Sequence, residues 1–80
     1  MESFSLNSAK SYIGKNVNLH LKDGSVIVNV QLTRIRKGSF GKGNFLEYAP
    51  YKNHRKQTHI PLRSVAWAEQ INLNFMNNID

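Results

Sequence analysis

Residues Asn16–Lys22 alternate strictly, with Val17, Leu19 and Leu21 apolar and Asn18, His20 and Lys22 polar. A period of two marks a strand with one buried face. Asp23-Gly24 follows, a dipeptide favoured in two-residue type I′ hairpins because both central positions need positive φ. Ser25–Arg36 is predicted as a second, longer strand, in which Val26, Val28, Val30 and Leu32 share a parity that Ile35 breaks. The change of parity predicts a bulge or sharp bend near Thr33–Arg34. Bent strands let a small sheet curl toward a barrel.

Lys37–Gly43 (KGSFGKG) carries three glycines and two lysines and reads as a loop. Asn44–Ala49 is predicted as a third strand, Pro50–His54 as a polar, basic turn, and Arg55–Leu62 as a fourth strand. Pro61 stands near the end of that strand, where a missing N–H is tolerated. Arg63-Ser64 makes a tight connection to a fifth strand over Val65–Ile71, with Val65, Trp67, Glu69 and Ile71 on one side and Ala66, Ala68 and Gln70 on the other. Before the strands, residues 3–13 are predicted as a short helix. Ser5 or Asn7 caps it, Leu6, Ala9, Lys10 and Ile13 form one edge, and Gly14 stops it. The tail Asn72–Asp80 has four asparagines and no period. The expected organisation is one domain over residues 1–80: helix about 3–13, barrel about 15–71, tail 72–80. The fold class expected is all-β, a small five-stranded, strongly bent open barrel with a short N-terminal helix.

Length limits the core. A chain of 80 residues buries only about 60–65% of the surface its unfolded form exposes. There is no cysteine, which excludes disulfides, thiolate zinc sites and thiol catalysis. Small domains without such staples gain stability by oligomerising. No apolar run approaches the roughly 20 residues a bilayer helix needs, and the N-terminus lacks the basic and apolar regions of a signal peptide. A cytoplasmic protein that does not enter a membrane is expected.

The charge is unevenly placed. Eleven Lys and Arg stand against five Asp and Glu. Residues 34–63 hold Arg34, Arg36, Lys37, Lys42, Lys52, Arg55, Lys56 and Arg63 with Glu47 as their only acid, and the rest of the chain is close to neutral. A concentrated basic region points to an anionic partner, most often nucleic acid; the plainer alternative is a solvated surface. KGSFGKG lacks the spacing and the following helix of a phosphate-binding loop. His20, His54 and His59 show no i,i+4 pairing on a helix, so no metal is expected, and no cofactor motif is present.

Two stretches carry a family resemblance over about residues 5–71. Ile13–Gly24 (IGKNVNLHLKDG) resembles the first motif of the Sm/LSm family, and His59–Trp67 (HIPLRSVAW) resembles its second, where a fourth strand passes through a one-turn connection into the fifth. The departures are specific. The family's glycine in mid strand two falls on Asn29 or Val30. The acidic loop residue of its uridine-binding members falls near Arg36. Asn44 keeps the family's Asn, after a longer loop, and the usual Arg-Gly is Arg63-Ser64. The chain therefore looks like a divergent member.

The resemblance implies a homo-oligomeric ring of about five to seven copies, closed by pairing strand four of one copy with strand five of the next. Strand pairing of this kind covers edges that are liabilities when bare. The loops Arg36–Asn44 and Leu62–Ser64 would then line a pore. They offer Arg36, Lys37, Phe40, Lys42, Asn44 and Arg63 as the RNA-binding set: cations for phosphates, Asn for a base edge, and Phe40 for stacking on an unpaired base. Phe40 can equally be a packed loop anchor, and Asn44 a turn residue. Tyr48, Tyr51 and Trp67 are candidate interface aromatics, with Trp67 read first as core. The function expected is a non-catalytic protein that binds single-stranded RNA. The alternatives are a structural or adaptor ring that binds a protein and, more distantly, a small-barrel ribonuclease recruiting His20, His59 and Glu47.

Overall fold

The computed structural model describes residues 4–41 and 43–71. Lys42, the first residue of the expected helix and the tail 72–80 therefore lie outside the described residues. The elements run α1 (Leu6–Tyr12), β1 (Asn16–Leu21), β2 (Val26–Lys37), β3 (Asn44–Pro50), β4 (Thr58–Pro61), a 3-10 turn (Leu62–Ser64) and β5 (Val65–Gln70). The five strands form one antiparallel sheet in the order β4-β3-β2-β1-β5. The protein is a small all-β fold with an N-terminal helix, and its sheet is not closed.

The connection between the two edge strands forces the sheet to curl. Five strands laid flat would separate β4 from β5 by about 19 Å. The single 3-10 turn that joins them advances only about 8 Å from Pro61 to Val65. The sheet must therefore bend around its own inner face. Leu19 of β1, Leu32 of β2, Leu46 of β3 and Val65 of β5 meet there, fully buried in one cluster that Ile60 of β4 flanks.

Two irregularities bend β2. Thr33 is an extra residue between the pairs Leu32–Tyr48 and Arg34–Glu47, a bulge where the parity change placed it. A second bulge lies at Val28–Asn29, which together face Asn18 between the pairs Val17–Val30 and Leu19–Ile27. It overturns the expected common parity of Val26, Val28, Val30 and Leu32. Val30 and Leu32 are buried, but Val26 and Val28 are exposed, and Ile27 packs on the core instead. Asn29 has φ 53°, a left-handed conformation that Asn tolerates better than other non-glycine residues. Asn29 thus takes the bend that the family pattern gives to glycine, and its N–H donates to Asn18 Oδ1 at 2.8 Å.

Other boundaries also differ from expectation. The hairpin after β1 has three loop residues, Lys22-Asp23-Gly24. Gly24 alone among them has positive φ, the Gly24 N–H donates to the Leu21 carbonyl, and the Leu21 N–H donates to the Ser25 carbonyl. A turn followed by one left-handed residue satisfies the hairpin without positive φ at Asp23. The fourth strand is shorter than Arg55–Leu62, because Arg55–Gln57 remain in the preceding loop. In β5, Ala66 is an extra residue between the pairs Leu21–Val65 and His20–Trp67. Trp67 therefore points outward and is 51% exposed, not core. Helix α1 is capped by Ser5, whose side chain accepts the Ser8 N–H. It seats on the sheet through Ala9, Phe4 and Tyr12, whereas Leu6 is exposed.

Candidate nucleic-acid interface

The first basic end of the sheet is the β2–β3 loop. Lys37 and Asn44 form its last cross-strand pair, and the Gly38 N–H closes it on the Gly43 carbonyl at 2.6 Å. Phe40 (φ 55°) and Gly41 (φ 74°) are both left-handed. Phe40 is fully exposed, so it is not a packed loop anchor. An open hollow of about 370 Å³ lies below, bounded by Arg36, Lys37, Gly38, Ser39 and Phe45.

The second is the 3-10 turn. Leu62 anchors it in the core while Arg63 is exposed. Because Phe45 pairs with Pro61, the turn begins beside Asn44, and β3 packs against it. On its other side, the Lys22 N–H donates to the Ser64 carbonyl at 2.9 Å. A groove of about 400 Å³ runs there, with Arg63, Ser64, Lys22 and Asp23 around Leu21, Ile60 and Pro61. The curl thus brings the β1–β2 hairpin to Arg63. Sequence reasoning passed over Lys22 and Asp23 because their neighbour in space depends on β1 pairing with β5.

Electrostatics divides the expected set. Glu47 accepts from Arg34 Nε at 2.7 Å and lies 3.3 Å from Arg36 Nε. The hydrogen bond from Arg34 holds the Glu47 carboxyl below the usual range, and the charges of Arg34, Arg36 and His59 add to this. Arg36 thus faces an acid through its Nε while its side chain stays half-exposed. Alternation along β2 also points Arg36 to the outer face with Glu47 and Phe45, while Lys37 and Asn44 follow the inner parity of Ile35 and Leu46. The structure pairs Lys37 with Asn44 beside the turn bearing Arg63, puts Arg36 next to Lys37 on the same hollow but on the outer face, and leaves Phe40 at the loop tip. Lys42 lies outside the described residues.

The outer face also carries aromatics. His20 and Trp67 stack with ring centroids 3.8 Å apart and planes 5° from parallel, and Val26 is the next residue in the same cross-strand row. His20 Nε2 donates to Glu69 Oε1 at 3.0 Å, and Asn18 Nδ2 donates to the same oxygen at 3.3 Å. The hydrogen bond from His20, then that from Asn18, hold Glu69 below its usual range. His59 meets Phe45 edge-on at 5.3 Å. Tyr48 is buried in the core, and Tyr51 is 37% exposed. Glu47 and His59 are a cross-strand pair of β3 and β4, but His20 lies opposite Val26 while Glu47 lies opposite Arg34, eight positions further along β2, so His20 does not join them. Among the described residues, no three His, Asp or Glu side chains gather as a metal site requires, and no helix is long and apolar enough to cross a membrane.

No protein-family model, curated protein or solved structure matches the chain.

Proposed function

We propose that this chain is a non-catalytic Sm-like protein that assembles into a homo-oligomeric ring and binds single-stranded RNA through the β2–β3 loop and the 3-10 turn. One observation carries the reading: the curled order β4-β3-β2-β1-β5 leaves two bare edges on either side of the turn that presents Arg63. A bare strand edge is a template for another strand, and pairing β4 with β5 of the next copy places these loops around one axis. Arg63 and Lys37 supply positive charge there. Asn44 is directly opposite Lys37 and can hydrogen-bond a base edge, and the exposed ring of Phe40 can stack on a base. Arg36 borders the same hollow as Lys37, and its pair with Glu47 lowers its share of the positive field.

The first measurement is native mass after nuclease treatment. A single closed species of about five to seven copies is expected; a monomer would remove the ring. In the ring, Arg63→Ala combined with Lys37→Ala is expected to weaken a short single-stranded RNA by roughly ten-fold, as lost phosphate contacts do at moderate salt. A change within two-fold would place the RNA elsewhere.

A second reading, an adaptor ring that binds a protein, is favoured by a different observation. Trp67, Val26 and Val28 are all exposed on the outer face, and exposed apolar clusters mark interaction sites. A stable ring that shows no salt-dependent RNA binding would select it.

A further inference from the structure

The strongest unneutralised positive charge in the described residues is away from the turn that bears Arg63. The β3–β4 loop, Tyr51–Gln57, reads Tyr-Lys-Asn-His-Arg-Lys-Gln, and every one of its residues is exposed. Lys52, Arg55 and Lys56 stand within five positions. The described residues contain three acids, and each is engaged elsewhere. Asp23 accepts from Ser25, Glu47 from Arg34 with Arg36 alongside, and Glu69 from His20 and Asn18. The charge surplus read from residues 34–63 is thus redistributed by folding, since two cations of the β2 end are paired while the three of this loop have no acid partner among the described residues.

The loop is also built. The Asn53 N–H donates to the Pro50 carbonyl at 3.0 Å and the Lys56 N–H to the Asn53 carbonyl at 3.1 Å. Asn53 Oδ1 accepts the Arg55 N–H. Gln57 donates to the His54 carbonyl and accepts from Thr33, the bulge residue of β2. The Tyr51 N–H reaches the carbonyl of Asn29, the other bulge. Both bulges of β2 therefore anchor the loop. Its backbone turns are satisfied internally, which leaves the cationic side chains, the half-exposed Tyr51 ring and the His54 imidazole facing outward.

We infer that the β3–β4 loop is a second RNA contact, in which Lys52, Arg55 and Lys56 bind phosphates of the strand and Tyr51 offers a stacking face. Cations interleaved with an aromatic ring are the combination that holds single strands without reading sequence. The inference rests on the RNA-binding reading above and extends it to a separate place. The seven residues of β3 lie between the two loops, about 23 Å at strand rise. A strand that reaches both must be longer than one held at the β2–β3 loop alone.

The test compares wild type with the Lys52→Ala, Arg55→Ala, Lys56→Ala triple variant. The probes are a short oligouridine of about 5 nucleotides and a long one of about 30, well beyond a single small site, titrated across salt. For the long probe, the slope of log affinity against log salt is expected to fall by about 2, the value for three phosphate contacts on a single strand. The short probe is expected to change by less than two-fold. A triple glutamine variant reproduces the result and guards against an effect of shortened side chains on the loop. An unchanged slope for the long probe, with wild type still binding it, overturns this inference and leaves the β2–β3 site intact. An equal loss on duplex DNA overturns the single-strand assignment. Failure of wild type to bind either probe overturns both readings.

Discussion

Asn29 adopts a backbone conformation that costs most L-residues about 1–2 kcal/mol, and the strand bends there because it does. Its N–H is held by Asn18 Oδ1, while Asn18 donates to Glu69. One bulge is therefore connected to the outer-face pair of His20 and Trp67. Asn29→Gly keeps the N–H and relieves the left-handed strain, so its stability is expected to equal or slightly exceed wild type. Asn29→Val is expected to lose about 1–2 kcal/mol, since a β-branched residue is a genuine outlier at positive φ. Urea melts of the two variants check this; a valine variant as stable as the glycine variant would show that the bend does not depend on that φ.

At the scale of elements, β3 is the strand on which both candidate contacts depend. It pairs with β2 and β4 on its two sides, carries Asn44 at one end and leads into the basic loop at the other. Its inward anchor, Leu46, is fully buried. Leu46→Ala is expected to cost about 2–5 kcal/mol, through lost transfer energy and the cavity left behind. Single domains hold only about 5–15 kcal/mol in total, and a small one sits near the bottom of that range. The variant is therefore expected to melt well below wild type in calorimetry, or to unfold. A shift of under about 1 kcal/mol would mean that the site collapses around the missing methyl groups. The alternation of Val17 and Leu19, the loop KGSFGKG and the tight turn at Arg63-Ser64 were all legible in the sequence, because each depends on local chemistry: side-chain period, glycine content or chain length between strands. The outward turn of Trp67 was not legible. It depends on a bulge at Ala66 that exists only because β5 must match β1, and a slip of one residue flips a side chain to the other face.

At the scale of the molecule, the three described carboxylates are linked to pH in one direction. Asp23 is held low by the Ser25 hydroxyl and N–H, Glu47 by Arg34 first, and Glu69 by His20 first. Each binds a proton less readily folded than unfolded. Their stabilisation is present above the ordinary values of 3.8 for Asp23 and 4.5 for Glu47 and Glu69, and it disappears as pH falls through the depressed ones. Denaturant midpoints are expected to be flat from neutrality to about pH 5 and to drop below about pH 4. Glu47→Gln should shallow that drop. An acid limb of the same depth in the variant would show that the pairs with Arg34 and Arg36 contribute nothing to stability.

The sequence by itself determined the all-β class, the helix before it, the number and order of strands, the bend at Thr33 and the excess of positive charge. These follow from period, turn residues and composition, which act over a few neighbours along the chain. Only the tertiary structure decided which cations are free. Glu47 lies eleven positions or more from Arg34 and Arg36 and meets them solely because β2 and β3 pair in one register. The same register, with the curl imposed by a three-residue turn between the edge strands, set Arg63 beside Lys22 and left Lys52, Arg55 and Lys56 without an acid partner among the described residues. Pairing of distant charges is a property of the folded sheet, and no window of sequence contains it.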